Sequence, residues 1–379
     1  MKILIVRTFP SIIDPNKYNV QEIGLAKALT RAGHTCGIVL YYGKNEDVTE
    51  RIPVLCGEET REITVYRLHG YNILKNGFFP SLQKITKMYD VIQVHEYDQI
   101  TSWFYYAWSK KPVVIYHGPY YHPYNKRYNF KCRIFDQIFL RIKKNRDVLC
   151  FTKSHAAAAF LEEKGFRNAH AVGVGLDTEN FETGKINTGE VIPVSKDKFN
   201  LLYVGKIEER RNSIFLLNVL KEICKRHEKI NCIIIGDGEK QYTEEFITSA
   251  QELLQTGRMQ YYKSASQSQL KEVYQQSQLM LFPTNYDIFG MVLLEAVYFN
   301  LPIISSPNGG ADMLIRDKEN GIIIKEYDVE KWCDQIENLY LDSDRYQEMK
   351  KNMEQSDKKV LFWDAIVKEY EKLLTFTKN

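Results

Sequence analysis

The sequence has little net charge, no long apolar run and no paired-cysteine motif. Across 379 residues, 51 Lys and Arg face 48 Asp and Glu, giving a formal net charge of +3. A generic nucleic-acid-binding protein is usually more basic, so no nucleic-acid partner is expected. No stretch approaches the roughly 18 apolar residues that a transmembrane helix needs. The seven cysteines are scattered without a C-x-x-C pair, which predicts reduced thiols in a cytoplasmic enzyme and no zinc site.

The start of the chain also lacks the marks of a signal peptide. Its apolar run within residues 1–7 is short, and no small-residue cleavage site follows it. This segment is therefore expected to form a first buried strand. Hydrophobic residues make up 44% and charged residues 26% of the chain, without short repeats or low-complexity tracts. That balance is typical of a folded protein and excludes disordered and collagen-like classes.

Short unbroken apolar runs alternate with segments of helical periodicity. The runs that predict buried strands are Ile3–Val6, Val91–Val94, Val113–Ile115, Leu201–Val204, Ile233–Ile235, Leu279–Phe282 and Ile303–Ile304. Runs of this kind suit strands buried on both faces, as in parallel sheets. Between them, residues such as Ile214, Leu217 and Leu220 recur at helical spacing, and Gly33 is a predicted helix stop. The alternation predicts an α/β architecture.

A polar, turn-rich stretch at residues 175–200 interrupts this alternation once, before a new strand. We therefore predict two Rossmann-like, doubly wound domains facing a central cleft. The N-terminal domain is expected at 1–190 and the C-terminal domain at 195–360. The terminal segment 361–379 is predicted to be a helix that packs back onto the first domain.

Ligands in open α/β sheets bind beyond the carboxyl ends of the strands, and four such places carry polar or glycine residues. The first follows the strand that ends at Gly205, where Lys206 and Arg211 flank a short loop. Two cations at a strand end can neutralise a diphosphate, and Arg does so with bidentate geometry. The alternative is a solvated loop whose Glu208, Glu209, Arg210 and Arg211 pair among themselves.

The second place is the loop after Leu279–Phe282, which leads into a helix predicted to start near Phe289. Gly290 would let backbone N–H groups approach an anion at the helix N-terminus. Asp287 and Glu295 could both face one ligand, since carboxylates accept hydrogen bonds from sugar hydroxyls. Alternatively, Asp287 caps the helix and Glu295 is an ordinary surface residue.

The remaining places are weaker signals on their own. Gly309 and Gly310 follow a strand and could let the backbone close in on a ligand, although turns use such pairs constantly. In the first domain, His117 follows Val113–Tyr116, where it could exchange hydrogen bonds with substrate hydroxyls near neutral pH. His95 occupies the equivalent position after the neighbouring run and is interpreted as a structural residue.

Together, the order and spacing of these motifs resemble the GT-B fold retaining glycosyltransferases of family 4, over nearly the whole chain. Gly205-Lys206-Ile207 with Arg211 looks like that family's phosphate clamp, with Lys and Arg exchanged. Asp287 and Glu295, with seven residues between them, look like its paired-acid signature, with Asp in place of the first Glu. Further matches are the Gly309-Gly310 loop, His117-Gly118, Gly33-His34 and Gly175-Leu176-Asp177 with Phe181. Tyr18-Asn19-Val20-Gln21-Glu22 replaces the family's glycine-rich loop after the first strand.

The resemblance implies a hexosyl- or N-acetylhexosaminyl-transferase that uses a UDP- or GDP-linked sugar. Lys206 and Arg211 would hold the diphosphate and stabilise its departing charge. N–H groups near Phe289, Gly290 and Met291 would add to this anion site, with Gly205, Gly309 and Gly310 lining it. Asp287 would grip donor-sugar hydroxyls, and Glu295 the ribose.

His117 would contact the donor sugar across the cleft. The leaving phosphate would help to deprotonate the acceptor on the same face, so no protein nucleophile is named. No cofactor or metal is implied. Asp342-Ser343-Asp344 is interpreted as a surface turn.

The acceptor side is expected in the first domain. The segment of residues 126–146 contains eight cations and a single acid, Asp136. The cations include Lys126, Arg127, Arg141, Lys143 and Lys144. A helical stripe, Ile134, Phe135, Ile138, Phe139 and Ile142, runs beside them. A basic amphipathic helix suits docking on the anionic inner face of a membrane, where a lipid-linked acceptor would be presented. The alternative is that the apolar stripe packs on the domain core and the cations are solvated.

The leading hypothesis is therefore a retaining glycosyltransferase of cell-envelope, capsular or exopolysaccharide assembly, acting on a glycan or lipid-linked acceptor. Two alternatives stay open: a nucleotide-sugar 2-epimerase of the same fold, and a non-catalytic nucleotide-sugar-binding protein. A Rossmann dehydrogenase is disfavoured, because Arg7-Thr8-Phe9-Pro10, and not G-x-G-x-x-G, follows the first strand.

Overall fold

The computed structural model describes residues 1–15, 20–177, 181 and 191–376. Tyr18 and Asn19 of the replaced first loop lie outside these residues, as do residues 178–180 and 182–190 of the predicted linker. The described residues form two compact units. Unit 1 holds those up to Asp177 and those from Lys359 onward, and unit 2 holds those between, up to Lys358.

Unit 1 is built on an eight-stranded, mainly parallel sheet. Its strands are β1 Lys2–Val6, β2 Thr35–Tyr41, β3 Val48–Cys56, β4 Glu59–Leu68, β7 Val91–His95, β8 Val113–His117, β9 Leu149–Thr152 and β10 Ala169–Ala171, and a separate hairpin consists of β5 Tyr71–Ile73 and β6 Asn76–Phe78. The order across the sheet is β10-β9-β8-β7-β1-β2-β4-β3. Ile5 of the central β1 lies opposite Ile38 of β2 and Gln93 of β7. The apolar run of β1 is buried, as expected for a central strand of a parallel sheet.

The helices of unit 1 follow the strands as the alternation predicted. They are α1 Gln21–Arg31, α2 Leu82–Thr86, α3 Ile100–Trp108, α4 Lys126–Phe135 and α5 His155–Glu163; a π-helical turn, Asp136–Leu140, continues α4. Helix α1 ends as expected before Gly33, which adopts φ +92° and donates its N–H to the Thr30 carbonyl at 3.0 Å.

The C-terminal helix, Trp363–Phe376, packs within unit 1. The Trp363 indole lies so close to Gly24 and Gly175 that a methyl group at either glycine would come within 2.5 Å of it. Further along the helix, the Tyr370 hydroxyl donates to Gln93 Oε1 at 2.7 Å, beneath the centre of the sheet. Glycine is needed at both contact positions because any side chain there would collide with the ring.

Unit 2 is built on a six-stranded sheet in which every recorded pairing is parallel. Its strands are β11 Phe199–Val204, β12 Ile230–Ile235, β13 Met259–Tyr262, β14 Leu279–Phe282, β15 Ile303–Ser305 and β16 Gly321–Ile323. Its helices are α6 Ser213–Arg226, α7 Lys240–Ser249, α8 Gln251–Gln255, α9 Gln267–Gln276, α10 Met291–Tyr298, α11 Gly309–Leu314, α12 Val329–Leu341 and α13 Ser343–Gln355. The core packs Trp332, Leu217, Phe246 and Ile234 together. These sheets confirm the predicted α/β class.

Candidate active site

The strand order of unit 2, β13-β12-β11-β14-β15-β16, places its topological switch between β11 and β14. The chain runs outward from β11 to β13 and then returns to β14 on the other side of β11. Loops that leave β11 and β14 therefore diverge and open a crevice at the carboxyl edge of the sheet. The motifs predicted around Arg211, Asp287 and Gly309 follow β11, β14 and β15, at or beside this switch.

An ion pair joins the first two loops. The Arg211 guanidinium contacts the Asp287 carboxylate, and both side chains are largely buried. Neighbouring Arg210 supports the same loop, because its guanidinium donates to the Tyr286 carbonyl at 3.0 Å and pairs with Glu208 at 2.7 Å. The sequence assigned Arg211 to the diphosphate and Asp287 to the sugar. The structure brings these two groups into direct contact.

The helix after β14 begins at Met291, two residues later than predicted. Gly290 adopts a left-handed conformation, φ +74°, which does not continue into helix at that position. Asp287 is not the N-cap that the alternative interpretation proposed, since Gly290 occupies that position without a side-chain cap. The Asp287 carboxylate instead accepts a hydrogen bond from the Phe289 N–H at 3.3 Å, inside the loop.

The glycine loop after β15 packs directly on the Asp287 loop. The Gly309 N–H donates to the Asp287 carbonyl at 3.2 Å. At Gly310, an added Cβ would lie 1.5 Å from the Phe289 carbonyl oxygen, so only glycine permits this approach. Asn308 caps the short helix α11 by accepting from the N–H groups of Gly310 and Ala311. The structure thus brings the second and third predicted loops together.

Lys206 is exposed at the start of the loop after β11. Its carbonyl accepts from the Tyr203 hydroxyl at 2.7 Å, whereas its ammonium has no hydrogen bond or ion pair within the described ranges. The adjacent Gly205 packs its carbonyl against Gly236, where a Cβ would lie 1.7 Å from that oxygen. Lys206 is therefore held by its backbone while its charge is available to an anion.

Glu295 is a buried acid, and this excludes the alternative of an ordinary surface residue. It lies on α10 with 4% of its surface exposed, and its carboxylate accepts from the Tyr274 hydroxyl of α9 at 2.9 Å. A buried carboxylate needs hydrogen-bond donors, and Tyr274 is one that sequence reasoning did not identify.

Burial lowers the pKa of Arg211 to about 10, and the charge of Arg210 acts in the same direction. The guanidinium still carries its charge at neutral pH. Its Nε is buried without a hydrogen-bond partner among the described residues. Since a buried unpaired donor is costly, an incoming anion would gain both a charge and a hydrogen bond here.

In unit 1, His117 is the last residue of β8 and is fully buried. Its Nδ1 lies 2.6 Å from the Glu96 carboxylate, and its ring stacks on Phe160. The Gly118 N–H donates to the same carboxylate at 3.2 Å. Burial acts to raise the pKa of Glu96, but the charge of His117 and the hydrogen bond to it prevail and lower this pKa to about 2.

A second group of buried charges adjoins this pair. Arg7, after β1, lies 2.6 Å from Glu22 at the start of α1, and His95 Nδ1 lies 3.3 Å from the same carboxylate. Burial lowers the pKa of His95 to about 4. Burial acts to raise the pKa of Glu22, but the charges of Arg7 and His95 outweigh it and lower this pKa to about 2. Lys153, after β9, completes the group, and burial lowers its pKa.

Sequence reasoning missed most of this network, which comprises Arg7, Glu22, Glu96 and Lys153 around the two histidines. A signal was available, because Arg7, Glu96 and Lys153 each come directly after a buried strand. Only His117 and His95 were chosen at those strand ends. Their carboxylate partners come from other strands and helices, which no local pattern connects.

One group of His and acid side chains within the described ranges has the spacing of metal ligands. Glu96, Asp98 and His117 hold potential ligand atoms within 4.8 Å of one another. The same carboxylates already have cationic partners, since Lys131 lies 2.8 Å from Asp98 and His117 pairs with Glu96. The local charge is therefore balanced by side chains.

The basic segment of unit 1 divides its apolar stripe between core and solvent. Phe135 is buried, whereas Ile134, Ile138 and Ile142 are exposed. Among the predicted acceptor or membrane residues, Lys126, Arg127, Arg141 and Lys143 are exposed and Lys144 is half-buried. The alternative that the whole stripe packs on the core is therefore wrong for its outer half. Within the described ranges, no helix has the length and apolarity needed to cross a bilayer.

Residues 187–356 match the family described as glycosyl transferases group 1. This match spans the crevice loops of unit 2. Two curated relatives illustrate the sequence similarity. A D-inositol 3-phosphate glycosyltransferase of Segniliparus rotundus is 22% identical over 39% of this chain and 33% of its own. An alpha-D-kanosaminyltransferase of Streptomyces kanamyceticus is 26% identical over 41% of this chain and 40% of its own. The chain thus spans less than half of each.

Solved structures resemble the chain over almost its full length. Anabaena HepE in complex with UDP and glucose aligns with a TM-score of 0.69 at 15% identity, covering 99% of both chains. Sucrose-phosphate synthase of Thermosynechococcus elongatus aligns with a TM-score of 0.72 at 14% identity, covering 100% of both. These similarities show that the chain has the GT-B fold, as predicted.

Proposed function

We propose that the protein is a retaining glycosyltransferase that transfers a hexosyl or N-acetylhexosaminyl group from a UDP- or GDP-linked sugar. The observation that carries the proposal is the Arg211–Asp287 pair at the switch point of unit 2. It lies in the segment that matches the group 1 family, and HepE, a neighbour in fold, was solved with UDP. The acceptor is a glycan or a lipid-linked glycan of cell-envelope, capsular or exopolysaccharide assembly.

In this proposal, Lys206 and Arg211 bind the diphosphate. Asp287 orients the guanidinium of Arg211, and the free ammonium of Lys206 is an exposed donor for phosphate oxygens. The guanidinium is fixed before the reaction, so its charge stabilises the leaving diphosphate without reorganisation. Glu295 binds the ribose hydroxyls from its buried position on α10.

The transfer breaks the bond between the anomeric carbon and the phosphate oxygen, and the electron pair leaves with the nucleoside diphosphate. The acceptor oxygen bonds to the anomeric carbon on the same face of the sugar, and its proton passes to the leaving phosphate oxygen. No residue of the chain forms a covalent bond. In unit 1, we assign His117 to hydrogen-bond the substrate, with Glu96 holding its ring in place.

The experiment is a nucleotide panel with two matched variants. We expect UDP or GDP to raise the thermal unfolding midpoint, because a ligand of the native state stabilises it by mass action. Lys206→Ala should weaken nucleotide binding roughly tenfold, the loss of one charge-assisted contact. Its midpoint without ligand should stay unchanged because the side chain is exposed. Lys240→Ala, which removes an exposed lysine of α7, is the control.

Product analysis completes the test. With the nucleotide sugar that binds, the anomeric configuration of the product, read by NMR, should equal that of the donor. An inverted product would overturn retention. Nucleotide binding that Lys206→Ala leaves unaltered would overturn the assigned clamp, and no binding of any nucleotide would overturn the proposed function.

A further inference from the structure

Unit 1 carries an apolar groove lined by residues of the β5–β6 hairpin, α2 and α3. The groove has a volume of about 460 Å³. Its apolar lining includes Phe78, Phe79, Leu82, Ile100, Trp103 and Phe104. Thr101 is one of the few polar residues there, and its hydroxyl is already used in a 2.6 Å hydrogen bond to the Gly77 carbonyl. Such a lining suits an aliphatic chain rather than a sugar.

The β5–β6 hairpin forms one rim of this groove and presents apolar side chains to solvent. Leu74, at its tip, is 86% exposed, and Ile73 beside it is about half exposed. Leu74 and Lys75 both have positive φ, 51° and 62°, in a turn where Asn and Gly are preferred. An exposed leucine in a left-handed conformation costs stability without contributing to a core, which favours a role in contact with another apolar phase.

On its other side, the groove continues into the basic segment of residues 126–146. The Trp103 ring lies 5.0 Å from Phe139 and 4.4 Å from Trp108, and its indole N–H donates to the Lys143 carbonyl at 2.9 Å. The Lys143 ammonium lies over the Trp108 ring. Apolar groove, tryptophans and cationic segment are thus one continuous surface.

The charge of this surface is mainly positive. The segment's one acid, Asp136, contacts the ammonium of Lys164 and accepts from the Tyr97 hydroxyl. Of the segment's eight cations, Lys131 pairs with Asp98, so seven remain against Asp136. A second pocket of about 390 Å³ beside the segment is lined by Arg141, Lys144, Arg146 and Lys164, together with the acids Asp136 and Glu163. Cations next to exposed apolar side chains complement an anionic lipid headgroup region, with about 1 kcal/mol gained per cation near the surface.

We propose that this face docks on an anionic phospholipid bilayer and that the groove takes up the hydrocarbon chain of a membrane-held acceptor. The side chains that would enter the interface are exposed and apolar, namely Leu74 of the hairpin and Phe130, Ile134, Ile138 and Ile142 of the basic segment. The cations would contact headgroup phosphates, and the acceptor chain would lie along Trp103 and Phe104. A second copy of the chain does not suit the surface, since the two cationic faces would repel. That the bound hydrocarbon chain belongs to a sugar acceptor rests on the proposed function.

Vesicle flotation of the full chain tests the docking. We expect binding to phosphatidylglycerol-containing vesicles, little binding to pure phosphatidylcholine vesicles, and release by salt, which screens the attraction. Leu74→Asp and Ile138→Asp should each weaken binding roughly tenfold or more, because a carboxylate replaces an inserted apolar group. The matched control is Leu55→Asp on β3, since Leu55 is 75% exposed on the far edge of the same sheet. Equal binding to both vesicles, or equal effects of all three variants, would overturn the docking surface.

Tryptophan quenching tests the groove. Trp103 is 9% exposed and lines the groove, whereas Trp332 and Trp363 do not, so in a Trp108→Phe background Trp103 is the tryptophan that reports on the groove. Phosphatidylglycerol with brominated acyl chains should quench its fluorescence, and Phe104→Asp should abolish the quenching. Vesicle binding without quenching of Trp103 would overturn chain uptake. Thermal unfolding of each variant checks that it is folded.

Enzymatic controls separate this inference from the function on which it rests. Vesicle binding and quenching without any sugar transfer would leave the docking intact and contradict the glycosyltransferase. Transfer with equal kcat/KM to an acceptor with and without its hydrocarbon chain would support the glycosyltransferase and overturn the acceptor role of the groove.

Discussion

The carboxyl edges of the two sheets are assembled by different means. In unit 2, three loops are held by close backbone contacts at glycines, such as Gly310 against Phe289, together with the ion pair of Arg211 and Asp287. In unit 1, the corresponding edge is held by side-chain charges, with Glu22 between Arg7 and His95. Unit 2 thus combines close backbone contacts with one ion pair, whereas unit 1 depends on a network of charged side chains.

This difference has consequences for how each site responds to change. The backbone contacts of unit 2 do not titrate, so these contacts should be insensitive to acid but intolerant of added atoms. In the network of unit 1, each charge has several partners. The loss of one partner should therefore lower the free energy of unfolding only partly, whereas protonation affects the whole group. Three predictions test this comparison.

The largest effect is expected from Arg211→Met. It removes the nearer guanidinium from the buried Asp287 carboxylate and leaves Arg210 at 4.0 Å; breaking a buried pair costs up to about 3–5 kcal/mol. Arg7→Met should cost less, because Arg7 is more exposed than Arg211 and Glu22 keeps His95 at the shorter distance of 3.3 Å. Urea unfolding measures both. Arg51→Met is the control, since the Arg51–Glu62 pair is exposed and such pairs contribute less than about 1 kcal/mol. Equal losses in the free energy of unfolding for Arg211→Met and Arg7→Met would contradict the idea that the remaining partners compensate within the network of unit 1.

Acid should destabilise unit 1 before unit 2. The folded-state pKa of His95, about 4, lies below its ordinary value of 6.5, so the unfolded chain binds more protons between these values and stability falls as pH drops from 6.5 to 4. The pKa of Glu22 is lowered from 4.5 to about 2, so its contribution, about 3 kcal/mol at most, is present above pH 4.5 and lost as pH falls towards 2.

Hydrogen exchange followed by mass spectrometry checks this order, because it reports each unit separately. Amides of β7 and β8 should lose protection at a higher pH than amides of β11 and β12. His95→Gln should remove the part of the loss between pH 6.5 and 4, whereas His69→Gln, a substitution outside the network, should not. Simultaneous loss in both units would show that the buried charges do not control acid stability.

The smallest effect, about 1–3 kcal/mol, is expected from Gly310→Ala, because its methyl group must displace the Phe289 carbonyl. Gly310 lies in α11 and has no positive φ, so the clash alone should set its cost. The comparison variant is Gly257→Ala, at φ +64° with open space around it, which measures the strain of a left-handed alanine without a clash. If the proposed function is correct, Gly310→Ala should also weaken nucleotide binding while Gly257→Ala should not. Urea unfolding of Gly310→Ala that is unchanged from the parent would mean that the loop contact does not require glycine.

The same contrast explains what could be predicted from sequence. The central strands were found because their apolar runs are continuous, as in Leu279–Phe282. The β3–β4 hairpin was not identified, because its strands alternate exposed and buried residues and contain no such run. The site loops of unit 2 were noticed through local signals, namely glycine pairs and the spacing of Asp287 and Glu295.

For the charge network of unit 1, the position of Arg7, Glu96 and Lys153 after buried strands was a signal, but no local pattern indicated which of these groups pair. His117 and Glu96 are twenty-one positions apart and meet only because β7 and β8 are neighbours in the sheet. Glu96 also adopts φ +61°, a conformation that its residue type does not indicate. The pairing of Arg211 with Asp287 was missed for a similar reason, since each was assigned to a different part of the ligand.

The position of Trp363 affects the order in which the protein is completed during synthesis. Its ring fills the space over Gly24 and Gly175, so this part of the interior of unit 1 is covered only after the helix Trp363–Phe376 has been synthesised. All of unit 2 is made before that point and can fold first. The unit whose translation starts first therefore receives its covering helix only after the other unit has been made.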